Sequence, residues 1–151
     1  MNAKRRSIGI LISVATVATI GWFVAQHFLQ WKLSNAAFAG DLAVVRRCVA
    51  MGVDIEATPS PEGLPAITAA AYSGHEEIVR FLLDHGANPN RHGMSNPLIL
   101  ACWRRHPAVV RLLLARGADP NARGEGTPLS AAESTEQTEL VALLRAYGAH
   151  E

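Results

Sequence analysis

The chain has two cysteines, two lysines and none of the short motifs that usually carry chemistry. It contains no CxxC, no HExxH, no phosphate-cradling GxxxxGK[ST] and no GxSxG nucleophile elbow. No Ser, His and acidic set stands out at catalytic spacing. The sequence therefore reads as a non-enzyme, with no cofactor, no metal and no small-molecule substrate expected. An even count, Cys48 and Cys102, invites a disulfide, but none is expected, because the repeat register described below sets them two units apart, beyond the roughly 7 Å limit for bridged Cα atoms. A basic surface is missing as well. Residues 33–151 hold ten arginines against thirteen acidic residues, which argues against a nucleic-acid partner. Lys, Arg, Asp and Glu are absent from all 25 residues between Ser7 and Trp31.

What is present is repetition. Gly52, Gly86, Gly117 and Gly148 lie 34, 31 and 31 residues apart, each closing a copy of one pattern. The copies are clearest over 63–90, 96–121 and 127–149, and a worn one covers 35–52. Within a copy, small residues such as Ala69, Ala70 and Ala71 precede a turn at Gly74. An amphipathic segment follows, Ile78 to Leu83 in one copy and Val109 to Leu114 in the next. Pro89 and Pro120 fall just past the second segment, where they cannot interrupt it. Each unit reads as helix, turn, helix and extended loop. One unit cannot bury its own apolar face, and about four stacked units can. Arg47 stands in the column of Phe81, Leu112 and Leu143, and Glu133 in that of Ala71 and Cys102. A charge in an otherwise apolar column marks a water-facing side, as end repeats require. The other reading is that each side chain snorkels out of an ordinary internal position.

Thr127-Pro128-Leu129, with Gly-Ala-Asn-Pro-Asn at 86–90 and Gly-Ala-Asp-Pro-Asn at 117–121, resembles the ankyrin repeat over roughly residues 33 to 150. The resemblance implies an all-α, ankyrin-like solenoid of about four helix-turn-helix repeats with short connecting loops, acting by binding a protein partner. Thr68, Ile99 and Ser130 replace the histidine that follows the family's T-P-L. The inter-repeat segments are about two residues short of the usual period, which leaves little room for full hairpin fingers.

Superposing the copies puts Phe38, Tyr72, Trp103 and Ser134 in one column. In ankyrin-like arrays that position faces the groove used for partners. Ser73, Arg104 and Arg105 adjoin it, and Arg105 replaces the turn glycine found at Gly40 and Gly74. Trp and Tyr are frequent hot-spot residues, so these seven are the expected partner-binding residues. The competing reading is that the rings pack against neighbouring helices. Cys102 and His106, four apart, could place two metal ligands on one helix face. Their alignment with Ala71 and His75 instead gives both a structural role, His75 and His106 holding turns.

The uncharged run has the length of a bilayer span, about 20 apolar residues. Lys4, Arg5 and Arg6 precede it. Trp22, Trp31 and Lys32 could anchor it at an interface. The reading is a basic cytoplasmic N-terminus at 1–6, a transmembrane anchor helix at 7–29, a juxtamembrane linker at 30–34 and the repeat domain at 35–151. A cleaved signal peptide is the alternative. Its best sites, Ala37-Phe38-Ala39 and Thr16-Val17-Ala18, fall inside the first repeat helix and in the middle of the apolar run. Twelve arginines against two lysines is the bias of a GC-rich bacterial genome. The expected localisation is therefore a single-pass inner-membrane protein, N-terminus cytoplasmic and repeats periplasmic. There it would bind or inhibit a protein of unknown identity. Alternatives are a scaffold in an envelope complex, an immunity protein against a toxin, or a protective partner of a redox enzyme.

Overall fold

The computed structural model describes residues 19, 21, 24–58, 63–92 and 95–150. Helical residues 24–39 form α1. Seven further helices follow: α2 (Leu42–Ala50), α3 (Ala66–Ser73), α4 (Glu76–Asp84), α5 (Pro97–Trp103), α6 (Pro107–Ala115), α7 (Pro128–Ser134) and α8 (Thr138–Ala146). Among the described residues there is no strand, only an isolated bridge between Gly124 and Gly126. The short loops that the sequence leaves between repeats thus stay loops.

The helices stand in two rows. In the first, α3 packs on α5 and α5 on α7; in the second, α2, α4, α6 and α8 stack in order. Composition explains the closeness of the first row. Ala69, Ala70, Ala71, Ala101, Ala131 and Ala132 are all buried, and a methyl side chain lets neighbouring helices approach. The second row supplies bulk through Val45, Ile78, Val79, Leu82, Val109, Leu113, Leu140 and Leu144, all buried. One continuous core results, as expected when each unit must bury its face against the next.

Local chemistry sets the helix ends. The Asp41 carboxylate accepts from the Val44 amide at 3.0 Å. Asn96, itself buried, accepts from Leu98 and Ile99 and donates to the Arg91 carbonyl. Thr127 and Ser130 form a reciprocal capping box. Pro97, Pro107 and Pro128 open their helices, where a missing N–H costs nothing. Arg47 and Glu133, the charges standing in apolar columns, are both exposed.

The expected membrane topology needs correction. Among the described residues no helix is long and apolar enough to cross a membrane, so the single-pass inner-membrane localisation with periplasmic repeats is not supported. Residues 1–18, 20, 22 and 23, which include most of the expected anchor at 7–29, lie outside the described residues. Residues 30–34, read above as a linker, are helical and continuous with the rest of α1. Leu33 and Ser34 are buried in the repeat core, and the Ser34 hydroxyl donates to the Leu64 carbonyl. The same hydrophobic pattern that ends an apolar run also starts a repeat here, because Leu33 fills the core position that Ile67 fills one repeat later.

Candidate partner-binding face

The end of each first helix is tied to the repeat that follows. The Nε2–H of His75 donates to the Phe38 carbonyl oxygen at 3.1 Å, and that of His106 to the Tyr72 carbonyl oxygen at 3.0 Å. A carbonyl can only accept, so Nε2 carries the proton. Gln137 does the same work one repeat later, donating to the Cys102 carbonyl oxygen at 2.8 Å. The bonded carbonyls belong to the ladder column or to its neighbour, so the first-helix termini are held in register.

The imidazoles need room, and the turn residues provide it. A Cβ on Gly40 would lie 2.6 Å from the His75 ring, and one on Gly74 the same distance from the His106 ring. Both glycines also adopt positive φ, 84° and 81°. Arg105 and Glu136 take the equivalent turns in the last two repeats, with φ of 59° and 56°. Behind Arg105 the next repeat carries Gln137 where His75 and His106 stand earlier. Gly pairs with His, and Arg pairs with Gln. The Arg105 guanidinium reaches the Thr135 carbonyl at 2.5 Å, which offsets part of the cost of a left-handed non-glycine residue.

The structure brings most of the expected column together. Phe38 and Trp103 are 49% and 44% exposed, so neither ring is spent on the core. Tyr72 is half-buried. The Phe38 and Tyr72 rings stack, 5.9 Å between centroids at 22°, and the Arg104 guanidinium lies 4.5 Å from the Tyr72 centroid. Phe38 and Arg104 thus both meet the Tyr72 ring. Arg104 and Arg105 are exposed, Ser73 is half-buried, and Ser134 is exposed with its hydroxyl turned back to the Ala131 carbonyl. Ser134 therefore continues the column in position without adding a ring.

Two aromatic residues extend this surface along α1. Trp31 and Phe38 line one cavity of about 250 Å³ with Ser34, Asn35, Gly63, Leu64 and Ala69. Phe28 stacks on Trp31 at 6.1 Å, and both are more than half exposed. Trp31 was read from the sequence as an interfacial anchor. The signal that separates the two readings is its spacing from Phe38, two helical turns along one face.

A second ladder runs through the loops. Asn90 donates to the Gly117 carbonyl and accepts from the Asp119 amide, at 2.9 and 2.7 Å. Asn121 repeats both bonds with the Gly148 carbonyl and the His150 amide, at 3.0 and 2.9 Å. Glu56 holds the same place one repeat earlier, accepting from the Asn88 amide and pairing with Arg91 at 2.6 Å. The recurring final asparagine of the 86–90 and 117–121 segments was the available signal.

Cys102 does not pair with His106. The thiol is fully buried inside α5, and burial pushes its pKa up to about 12. His106 lies outside that helix, engaged with Tyr72. Cys48 is also buried, and its pKa is raised by loss of solvent against the lowering effect of Lys32 and Arg47. Both cysteines are free thiols. Among the described residues no group of His, Cys, Asp or Glu could hold a metal ion.

The family model for ankyrin repeats, three copies, matches residues 33–124. The chain belongs to the ankyrin-repeat family. A relative from Escherichia coli (strain K12), YahD, named as an ankyrin repeat protein, is 39% identical over 69 residues, 44% of this chain. The aligned part covers 34% of that relative, so this chain spans about a third of its length. Ankyrin arrays serve as protein-interaction modules, which is the class of function this chain shares.

Proposed function

We propose that this ankyrin array captures a protein partner on the row formed by Phe38, Tyr72 and Trp103, with Ser73, Arg104, Arg105 and Ser134 around it. The observation that carries the reading is the exposure of Phe38 and Trp103, at 49% and 44%, on helices whose other faces are buried. Large rings standing in water at the same register in the first and third repeats are available as rigid contact area. Arg104 and Arg105 border the row, and neither pairs with a carboxylate: one lies over Tyr72 and the other reaches a backbone carbonyl. A carboxylate on the partner next to its apolar contact would complete the match. Binding there would hold or block the partner.

A photo-activated crosslinking residue placed at Trp103, and separately at Arg80, tests the proposal. Arg80 is exposed and paired to Glu76 at 2.5 Å on α4, in the other row. A discrete crosslinked species from Trp103 but not from Arg80 is the expected result. Equal labelling from both positions, or labelling from Arg80 alone, would move the partner off the aromatic row.

A further inference from the structure

We infer that α1 pairs with α1 of a second copy of this chain, in parallel and across a two-fold axis. Along α1, Val24, Phe28, Trp31, Asn35 and Phe38 are all exposed. Their steps are four, three, four and three residues. That is the spacing of a heptad seam, the one that keeps a single helix face against a second helix. Ordinary amphipathic burial needs a wider stripe, and α1 already has one, through Leu33, Ala36 and Ala37 in the repeat core. The seam is a second face, about 21 Å long at ~1.5 Å per residue.

Two features select a copy of the same chain over another protein. Between residues 19 and 39 the only Lys, Arg, Asp or Glu is Lys32, which lies outside the seam. A neutral stripe meets itself without repulsion and offers a foreign partner no charge to recognise. Asn35 is the one polar residue in the seam, with no side-chain hydrogen bond among the described residues, and an amide both donates and accepts. Two copies in parallel set Asn35 against Asn35, where each satisfies the other; a lone Asn at such a position fixes register and two-strandedness.

The area sets the strength. Val24, Phe28, Trp31 and Phe38 are 60%, 59%, 53% and 49% exposed. With about 150–250 Å² per buried aromatic, covering them removes about 400 Å² per copy, or about 800 Å² in all. Stable complexes bury roughly 1,200–2,000 Å², so the dimer is reversible and concentration-dependent. Pairing shares Phe38 with the partner-binding row but needs nothing from Trp103, so a Trp103 variant separates this inference from the partner-binding proposal.

The test is sedimentation equilibrium of the full chain in density-matched mild detergent, which keeps the run 7–31 from aggregating. A monomer–dimer equilibrium is expected. Asn35→Asp faces like charges across the seam at neutral pH and should raise the dissociation constant at least about tenfold. Trp103→Ala should leave it unchanged. Because Asn35 is exposed, circular dichroism should show Asn35→Asp folding as the parent does. Asn35→Cys should form an intermolecular disulfide under mild oxidation, since Cys48 and Cys102 are buried and do not compete. A monomer at all accessible concentrations overturns the inference and leaves the stripe to another protein. So does a dimer that Asn35→Asp does not weaken and Asn35→Cys does not crosslink.

Discussion

The His106 imidazole occupies the space that a side chain on Gly74 would need. A Cβ there would sit 2.6 Å from the ring, and the same ring's Nε2 is bonded to the Tyr72 carbonyl. Gly74 also has φ of 81°. Gly74→Ala therefore meets two penalties, a left-handed backbone and a displaced histidine. A loss of about 2–3 kcal/mol in urea unfolding is expected. His106→Gln should recover part of it, as Gln137 does behind Arg105. A double-mutant cycle should give a favourable coupling of about 1 kcal/mol or more; simple additivity would mean the ring does not set the constraint.

Arg105 offers the converse. Its φ of 59° costs an arginine about 1–2 kcal/mol that glycine avoids, and the exposed bond to Thr135 returns only part. Arg105→Gly should raise stability by about 1 kcal/mol while weakening partner capture, because Arg105 borders the aromatic row. A lower midpoint in the same unfolding assay would show that the Thr135 contact outweighs the backbone cost.

The loop asparagines join consecutive repeats through two bonds each. Asn90→Ala and Asn121→Ala each leave a carbonyl and an amide unpaired near the surface. Each should cost about 1–2 kcal/mol. Native-state hydrogen exchange should show faster exchange at Asp119 for the first variant and at His150 for the second.

Cys102 supplies a pH prediction. Burial raises its folded pKa to about 12 from the ordinary 9.0. The thiol binds its proton more tightly in the folded state. Its contribution to stability is complete below pH 9 and is lost progressively as pH rises toward about 12. Cys102→Ala should flatten that part of the stability–pH curve. Native protein should also resist thiol reagents at pH 8 and react on unfolding.

Much of this fold is legible in the chain because the repeat is. Gly74, Gly86 and Gly117 announce left-handed turns, and Ala69 to Ala71 announce close helices. The row of Phe38, Tyr72 and Trp103 follows from alignment alone. What alignment does not give is direction. It cannot tell that Tyr72 is flanked by Phe38 and Arg104 while Trp103 stands clear, since that depends on rotamers in three helices. The N-terminal reading went astray at Trp31 for a related reason. An aromatic residue closing an apolar run has the same composition whether it faces lipid, a core or a groove. The spacing of Trp31 from Phe38 and the continuation of α1 through Leu33 into the repeat core place it on the repeat surface. The pairing of Gly with His and Arg with Gln was present in the sequence as well, but its cause is a contact between residues 32 to 35 positions apart.

The aromatic row is tested most directly by Tyr72→Ala combined with Trp103→Ala, reading partner capture and melting temperature on the same preparations. If the rings are binding anchors, capture weakens by more than about 2 kcal/mol while the melting temperature stays close to the parent's. A large fall in melting temperature, with capture intact in the folded fraction, would assign the rings to the core and contradict the proposed binding face.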